Sequence, residues 1–222
     1  MSAMTSFQGA MSARPELRNE RGGSTLSHLK ERKGFTLVEL LVVLAIMGIL
    51  VGASAWGLVG ALSSSNLSNG GQLIANQIAL ARQEAVTRNQ QVEVLFYKLS
   101  AGGSATWKAV QVWRIDQNDS GATTYAVTKL ALLPDGVMIS TDPKLSPLLT
   151  ANASLSGTAS LANYGSVPFA GFSFRPNGST DYSISTANNI LTVQNVSGGP
   201  SPKNYFTLQV NPIEGNVSIF RP

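Results

Sequence analysis

At 222 residues with 43% apolar side chains, the chain is long enough for one sizeable core with appended segments, and short for two full domains. It has no cysteine, which excludes disulfides, thiolate metal sites and a cysteine nucleophile, and its one histidine, His28, reads as a solvated residue of a polar segment. The net charge of +4 is concentrated at the front: six basic residues stand against three acidic ones through Gly34, and ten against nine from Phe35 onward. So nearly neutral a body lacks the broad basic footprint of a nucleic-acid-binding domain.

Residues 1–34 are polar and contain "RNERGGSTLSHLKERK", read as a disordered cytoplasmic extension. From Leu40 to Leu62 no residue is charged. As a helix this run would measure about 35 Å against a hydrocarbon core of about 30 Å, so a transmembrane segment is predicted over about 35–62. Lys30, Arg32 and Lys33 precede it, and the next basic residue is Arg82. That asymmetry keeps the N-terminus cytoplasmic and places the rest outside. Glu39 is the anomaly, since a carboxylate within a span costs about 2.5 to 3.5 kcal/mol on the translocon scale. A cleaved secretory signal peptide would suit "ASA" at Ala53 to Ala55, but its apolar core is much shorter than this one. A plain single-pass anchor leaves Glu39 unexplained.

The stretch "KGFTLVELLVVLAIMGIL" resembles the N-terminal signature of type IV prepilins and of the pseudopilins of type II secretion. The resemblance implies cleavage by a prepilin peptidase after Gly34, N-methylation of the new terminus at Phe35, and a role for Glu39 in subunit assembly. The physics agrees with that reading. Cleavage creates a cationic amine at Phe35 inside the apolar layer, and Glu39 of a neighbouring subunit can neutralise it. An opposite pair about 4 Å apart gains about 4 kcal/mol at an effective dielectric of 20, comparable to the insertion cost. Gly34, lacking a Cβ, lets a protease approach the scissile backbone closely. Gly48 and Gly52 form a G-x-x-x-G pair suited to close helix packing, or reflect the ordinary glycine enrichment of membrane helices. No proline occurs between Phe35 and Leu133.

"SSSNLSNGGQ" interrupts the apolar run, so the helix either continues or kinks at Gly70. Beyond it Ile74, Ile78, Ala81 and Ala85 share one face, which predicts an amphipathic continuation over about 72–90. From Gln91 the period becomes two: Val92, Val94 and Phe96 alternate with Glu93, Leu95 and Tyr97, and "WKAVQVWRI" reads as the paired strand. "TYAVTKLALL" gives a third strand, ended by a turn at Pro134. A long surface loop is predicted over about 141–166. "GFSFRPNGS", "YSIS", "ILTVQNV", "YFTLQV" and "VSIF" follow as strands, the last two flanking "NPIEGN" as a hairpin. The expected fold class is α+β: a long N-terminal helix (35–91) on a small antiparallel β domain (92–222), pilin-like. "FSFRPNGS" followed by "YFTLQVNPIEGNVSIFRP" resembles the C-terminal half of the GspH/FimT minor pseudopilins, and "LARQEAVTRN", "AVQVWR" and "LPDGV" most resemble the Verru_Chthon cassette protein D branch of that group.

There is no G-x-S-x-G and no P-loop, so neither an enzyme nor a cofactor is expected. Asp116, Asn118, Ser120 and Gly121 mimic the first half of an EF-hand loop, but Val127 occupies the twelfth position, where a bidentate glutamate is needed. A hairpin turn explains the same residues. DNA uptake is the rival function, but "GNVSIFRP" offers Asn216 and Ser218 where cations would be needed and leaves only Arg221, so nucleic acid is disfavoured. The resemblance implies a minor pseudopilin or pilin-like subunit of the inner membrane, single-pass, with a periplasmic C-terminal domain. Its implied partners are other pilin subunits, the prepilin peptidase, and an assembly platform with its ATPase.

Overall fold

The computed structural model describes residues 34–101, 104–118, 121–150, 153–182, 189–199 and 202–221, with 54–61, 101 and 118 described by their backbone alone. The leader expected over 1–34 lies outside these residues except for Gly34, as do His28 and Ser120. Contacts divide the chain into a unit that ends at Met47 and one over Gly48–Pro222.

Helix α1 runs over Leu37–Arg88. It is followed by β1 (Gln91–Ala101), β2 (Ser104–Asn118), β3 (Gly121–Ala126), β4 (Ala131–Leu132), β5 (Val137–Ile139), β6 (Leu155–Leu161), β7 (Gly165–Phe174), β8 (Ile190–Asn195), β9 (Tyr205–Val210) and β10 (Val217–Phe220). Among the described residues these ten strands form one antiparallel sheet in the order β10-β9-β8-β5-β2-β1-β7-β6, with β3 and β4 also paired to β2. The class is α+β, as the pattern of periods implied. No helix among the described residues is long and apolar enough to cross a membrane. The expected span includes 54–61, whose side chains lie outside those residues.

The two glycines that argue for a break do the opposite. Gly70 and Gly71 lie within α1 and are buried. A Cβ on Gly71 would run into the ring of Phe206, and one on Gly70 would meet Val137 at 2.9 Å. The glycines therefore let the helix lie close on the sheet, at the cost of weaker local propensity. The buried stripe of α1 comprises Leu67, Ile74, Ile78, Ala81 and Ala85, one residue or pair per turn. It packs on the inner face of the sheet, where Val92, Val94 and Phe96 of β1 join Phe172 and Phe174 of β7 and Leu208 of β9. The helical face predicted from Ile74 to Ala85 is thus the one in the core.

The outer face is apolar as well. Leu95, Tyr97 and Leu99 of β1 form a second cluster with Ala109 and Val167, and Trp113 donates through Nε1 to the Tyr97 hydroxyl at 3.0 Å. A register shift between Tyr97 and Lys98 bends the β1–β2 ribbon, as an extra residue in one strand does. β7 approaches β1 closely here: a Cβ on Gly171 would strike the Val94 carbonyl oxygen.

Several sequence expectations need correction. The segment 141–166 is not one loop, since it contains a 3-10 turn at Pro147–Leu149, β6, and the start of β7. β6 has the composition of a loop, "LSGTASL", and becomes a strand by pairing along its length with β7, from Leu155↔Gly171 to Leu161↔Gly165. "TYAVTKLALL" supplies two short strands, because the chain leaves β2 after Ala126 and returns at Ala131. In "YSIS", Tyr182 is not in a strand and the rest lies outside the described residues. Its hydroxyl is buried and donates to the Val210 carbonyl at 2.7 Å.

Candidate assembly site at the N-terminal helix

Gly34 and Phe35 precede α1 in non-helical backbone; among the described residues no atom lies within 4 Å of a Cβ built on Gly34, and Phe35 is 79% exposed. The peptide bond between them is therefore sterically open. Thr36 and Glu39 form the box that starts the helix. The Glu39 amide donates to Thr36 Oγ1 at 3.2 Å, and Glu39 Oε2 accepts from the Thr36 amide and from Thr36 Oγ1, each at 3.4 Å. This reciprocal arrangement satisfies amides that the first turn leaves without helical partners. A carboxylate in the first turn also complements the positive end of the helix dipole. Sequence reasoning gave Glu39 one role, pairing with the Phe35 amine of a neighbouring subunit. The signal for its second role was present, since Thr36-Leu37-Val38-Glu39 is the threonine-x-x-glutamate pattern that announces a helix start.

Beyond the box, every residue with a described side chain from Leu37 to Ala53 is exposed. Nothing lies within 4 Å of a Cβ on Gly48 or Gly52, so the G-x-x-x-G face is open. The residues singled out for processing, assembly and packing are thus accessible.

A second junction, missed in the sequence, joins the far part of α1 to two turns. Arg82 Nε donates to the Glu214 carbonyl at 2.6 Å. The Arg175–Gly178 turn closes through Gly178 N to the Arg175 carbonyl at 2.8 Å, and the Asn211–Gly215 turn through Gly215 N to the Asn211 carbonyl at 2.7 Å. Both glycines have positive φ, +83° at Gly178 and +72° at Gly215, which favours residues without a Cβ. A Cβ on Gly215 would strike the Gly178 carbonyl oxygen and crowd Phe174 and Arg82. Phe174-Arg175-Pro176-Asn177-Gly178 and "NPIEGN" are therefore one structural feature, stacked beneath a helix arginine.

Two further candidates take structural roles. Asp116 lies in β2 opposite Thr123 of β3, and its Oδ1 accepts from Gln90 Nε2 at 2.9 Å. No cluster of three or more potential metal-ligating side chains exists among the described residues. Arg221 donates through Nη1 to Ser68 Oγ at 2.7 Å and through Nη2 to Ser64 Oγ at 2.9 Å, so its fork lies on α1. On β1, burial and then the nearby Asp181 carboxylate raise the Glu93 pKa above its ordinary 4.5.

Residues 71–213 match the family described as type II transport protein GspH, and residues 29–55 match the prokaryotic N-terminal methylation motif. The chain belongs to the GspH family. Among curated relatives, competence protein ComGD of Bacillus subtilis is 37% identical over 70 residues, covering 32% of this chain and 49% of that protein. Pilin-like protein PilA1 of Thermus thermophilus is 40% identical over 75 residues, covering 32% and 45%. This GspH-family chain thus spans about half the length of the curated relatives it matches. Two structures of the minor pseudopilin EpsH from the type II secretion system of Vibrio cholerae superpose with a TM-score of 0.41, at 11% and 13% identity, over 71% and 72% of this chain and 98% and 96% of theirs.

Proposed function

We propose that the chain is a minor pseudopilin- or pilin-like structural subunit, cut between Gly34 and Phe35 and built into a periplasmic pseudopilus or type IV pilus for protein secretion. Membership of the GspH family supports a structural role and assembly with other pilin-type subunits. The methylation motif over residues 29–55 supports a membrane-anchored N-terminal segment. Placement in the inner membrane, a cytoplasmic N-terminus and the partners beyond other subunits (prepilin peptidase, assembly platform and ATPase) are part of the proposal.

The observation that carries it is the accessible Gly34–Phe35 bond two residues ahead of a helix whose first turn holds Glu39. Once the bond is cut, the Phe35 amine is a free cation, and Glu39 of a neighbour is a carboxylate at matching depth. The helix box makes the test sharper, because it separates two jobs of one side chain. Glu39→Gln keeps a side chain able to accept from the Thr36 amide and removes the charge, whereas Glu39→Ala removes both. Both variants should insert and be processed, and both should fail to enter filaments, as read by shearing and fractionation. Normal incorporation of Glu39→Gln would exclude pairing by charge.

ComGD is named a competence protein, which raises DNA uptake as a second reading. The charge balance counts against it, since ten basic residues stand against nine acidic ones from Phe35 onward and few phosphates could be neutralised.

A further inference from the structure

At the level of α1 where the uncharged run ends, three separate segments converge on the helix. Asn66 Nδ2 donates to the Asp135 carbonyl at 3.3 Å, and Val196 N to the Gly136 carbonyl at 2.8 Å, which fixes the Pro134–Gly136 turn and the Val196 loop against one side. Between them and Leu62 lies an open, mainly apolar groove of about 480 Å³. The third segment is the end of β10, anchored by Arg221 on Ser64 and Ser68. This level carries large apolar side chains with open surfaces: Leu62 at 59%, Val196 at 46% and Phe220 at 53% exposure. It also carries Lys203, exposed on a hollow that adjoins the groove through Asn195 and Ser197, and Arg221. Among the described residues no carboxylate pairs with either cation.

We infer that Leu62, Val196 and Phe220, with Lys203 and Arg221, form a collar that seats the β domain on the headgroup layer of the bilayer. The inference rests on the anchored reading proposed above. Leu62 is the last residue of the uncharged run, and Ser63 to Ser68 is the first polar stretch after it. Those residues occupy about 9 Å of helix at 1.5 Å per residue, close to the 5 to 7 Å thickness of one headgroup layer. Side chains held at that level meet a zone that accepts apolar and aromatic groups beside cations, and phosphates there complement Lys203 and Arg221. The groove reaches Leu62, the last residue of the apolar run that would enter the hydrocarbon. Exposed apolar surface elsewhere, such as Ile213 at 64% beside the Arg82 junction, lies about five turns further along α1 and should stay in water.

The chain has no cysteine, so single-cysteine variants can be labelled with a fluorophore without altering the background. Full-length Val196→Cys, Phe220→Cys, Ile213→Cys and Ile46→Cys would be reconstituted at low protein density. The vesicles would be phosphatidylethanolamine and phosphatidylglycerol carrying a nitroxide on either the headgroup or the acyl chain. The collar predicts loss of fluorescence at 196 and 220 with the headgroup nitroxide, none at 213, and loss at 46 with the acyl-chain nitroxide. If 46 is quenched while 196 and 220 behave like 213, the collar is overturned and the anchor stands. An unquenched label at 46 overturns the anchor and the collar together. Labels at 196 and 220 that ignore lipid but self-quench as protein density rises would assign the groove to a second copy, again overturning the membrane assignment.

Discussion

Gly71 shows how a single residue can carry opposite consequences at two levels. Within an isolated helix, glycine to alanine gains about 1 kcal/mol. Here the new methyl would enter the space of the Phe206 ring, and overpacking a filled site costs about 1 to 3 kcal/mol. Gly71→Ala should therefore lower the thermal midpoint of the detergent-solubilised chain; a raised midpoint would mean that the ring yields freely. Glu93 gives a prediction with a pH signature. Its folded pKa is raised by burial first and by Asp181 second, so the fold disfavours its ionised form. Its contribution to stability is full below pH 4.5, and it falls as pH rises through the folded value. Glu93→Gln should raise the midpoint at neutral pH, and that gain should disappear below pH 4.5. A gain of equal size in acid would mean that ionisation is not its cause.

At the scale of elements, the junction beneath Arg82 links α1 to the two turns of the C-terminal half. Thr180 N donates to the Pro212 carbonyl at 2.9 Å, so the turns also hold each other. Arg82→Ala should cost about 1 kcal/mol through the lost bond to Glu214, and should speed amide exchange in the 211–216 turn before any other part of the sheet. Uniform loss of protection across the sheet would contradict a local clasp. The elements legible in the sequence were those with strong periods, namely the Ile74–Ala85 stripe and strands such as "YFTLQV", whose burial alternates along β9. β6 was not legible. It has few apolar side chains and no clear alternation, and its strand conformation comes from pairing with β7, a partner 16 residues on at Leu155↔Gly171. Gly70 and Gly71 left a kink open beside the continuous helix for the converse reason: their local cost is visible in sequence, while the Phe206 ring against Gly71 is 135 residues away. At the candidate site, Gly34, Phe35 and Glu39 could be singled out together because they lie within six residues of one another. The Arg82 clasp was not, since its partners lie in a segment more than 90 residues downstream.

In the whole molecule, α1 presents exposed apolar side chains over residues 37–53, and the two faces of the sheet are both filled. A face of exposed leucine, isoleucine and valine along residues 37–53 needs a partner medium, whether lipid or other helices, and Glu39 needs a cation when the surrounding water is removed. We propose that removal of the leader supplies that cation, as the Phe35 amine of a neighbouring subunit. The most direct test is the intact mass of the protein isolated from the membranes of the cell that makes it. The predicted mass is that of Phe35 to Pro222 with one added methyl group, and Gly34 replaced by a bulky residue should abolish that species. A chain that begins upstream of Phe35 would leave Glu39 without its cation and contradict the account.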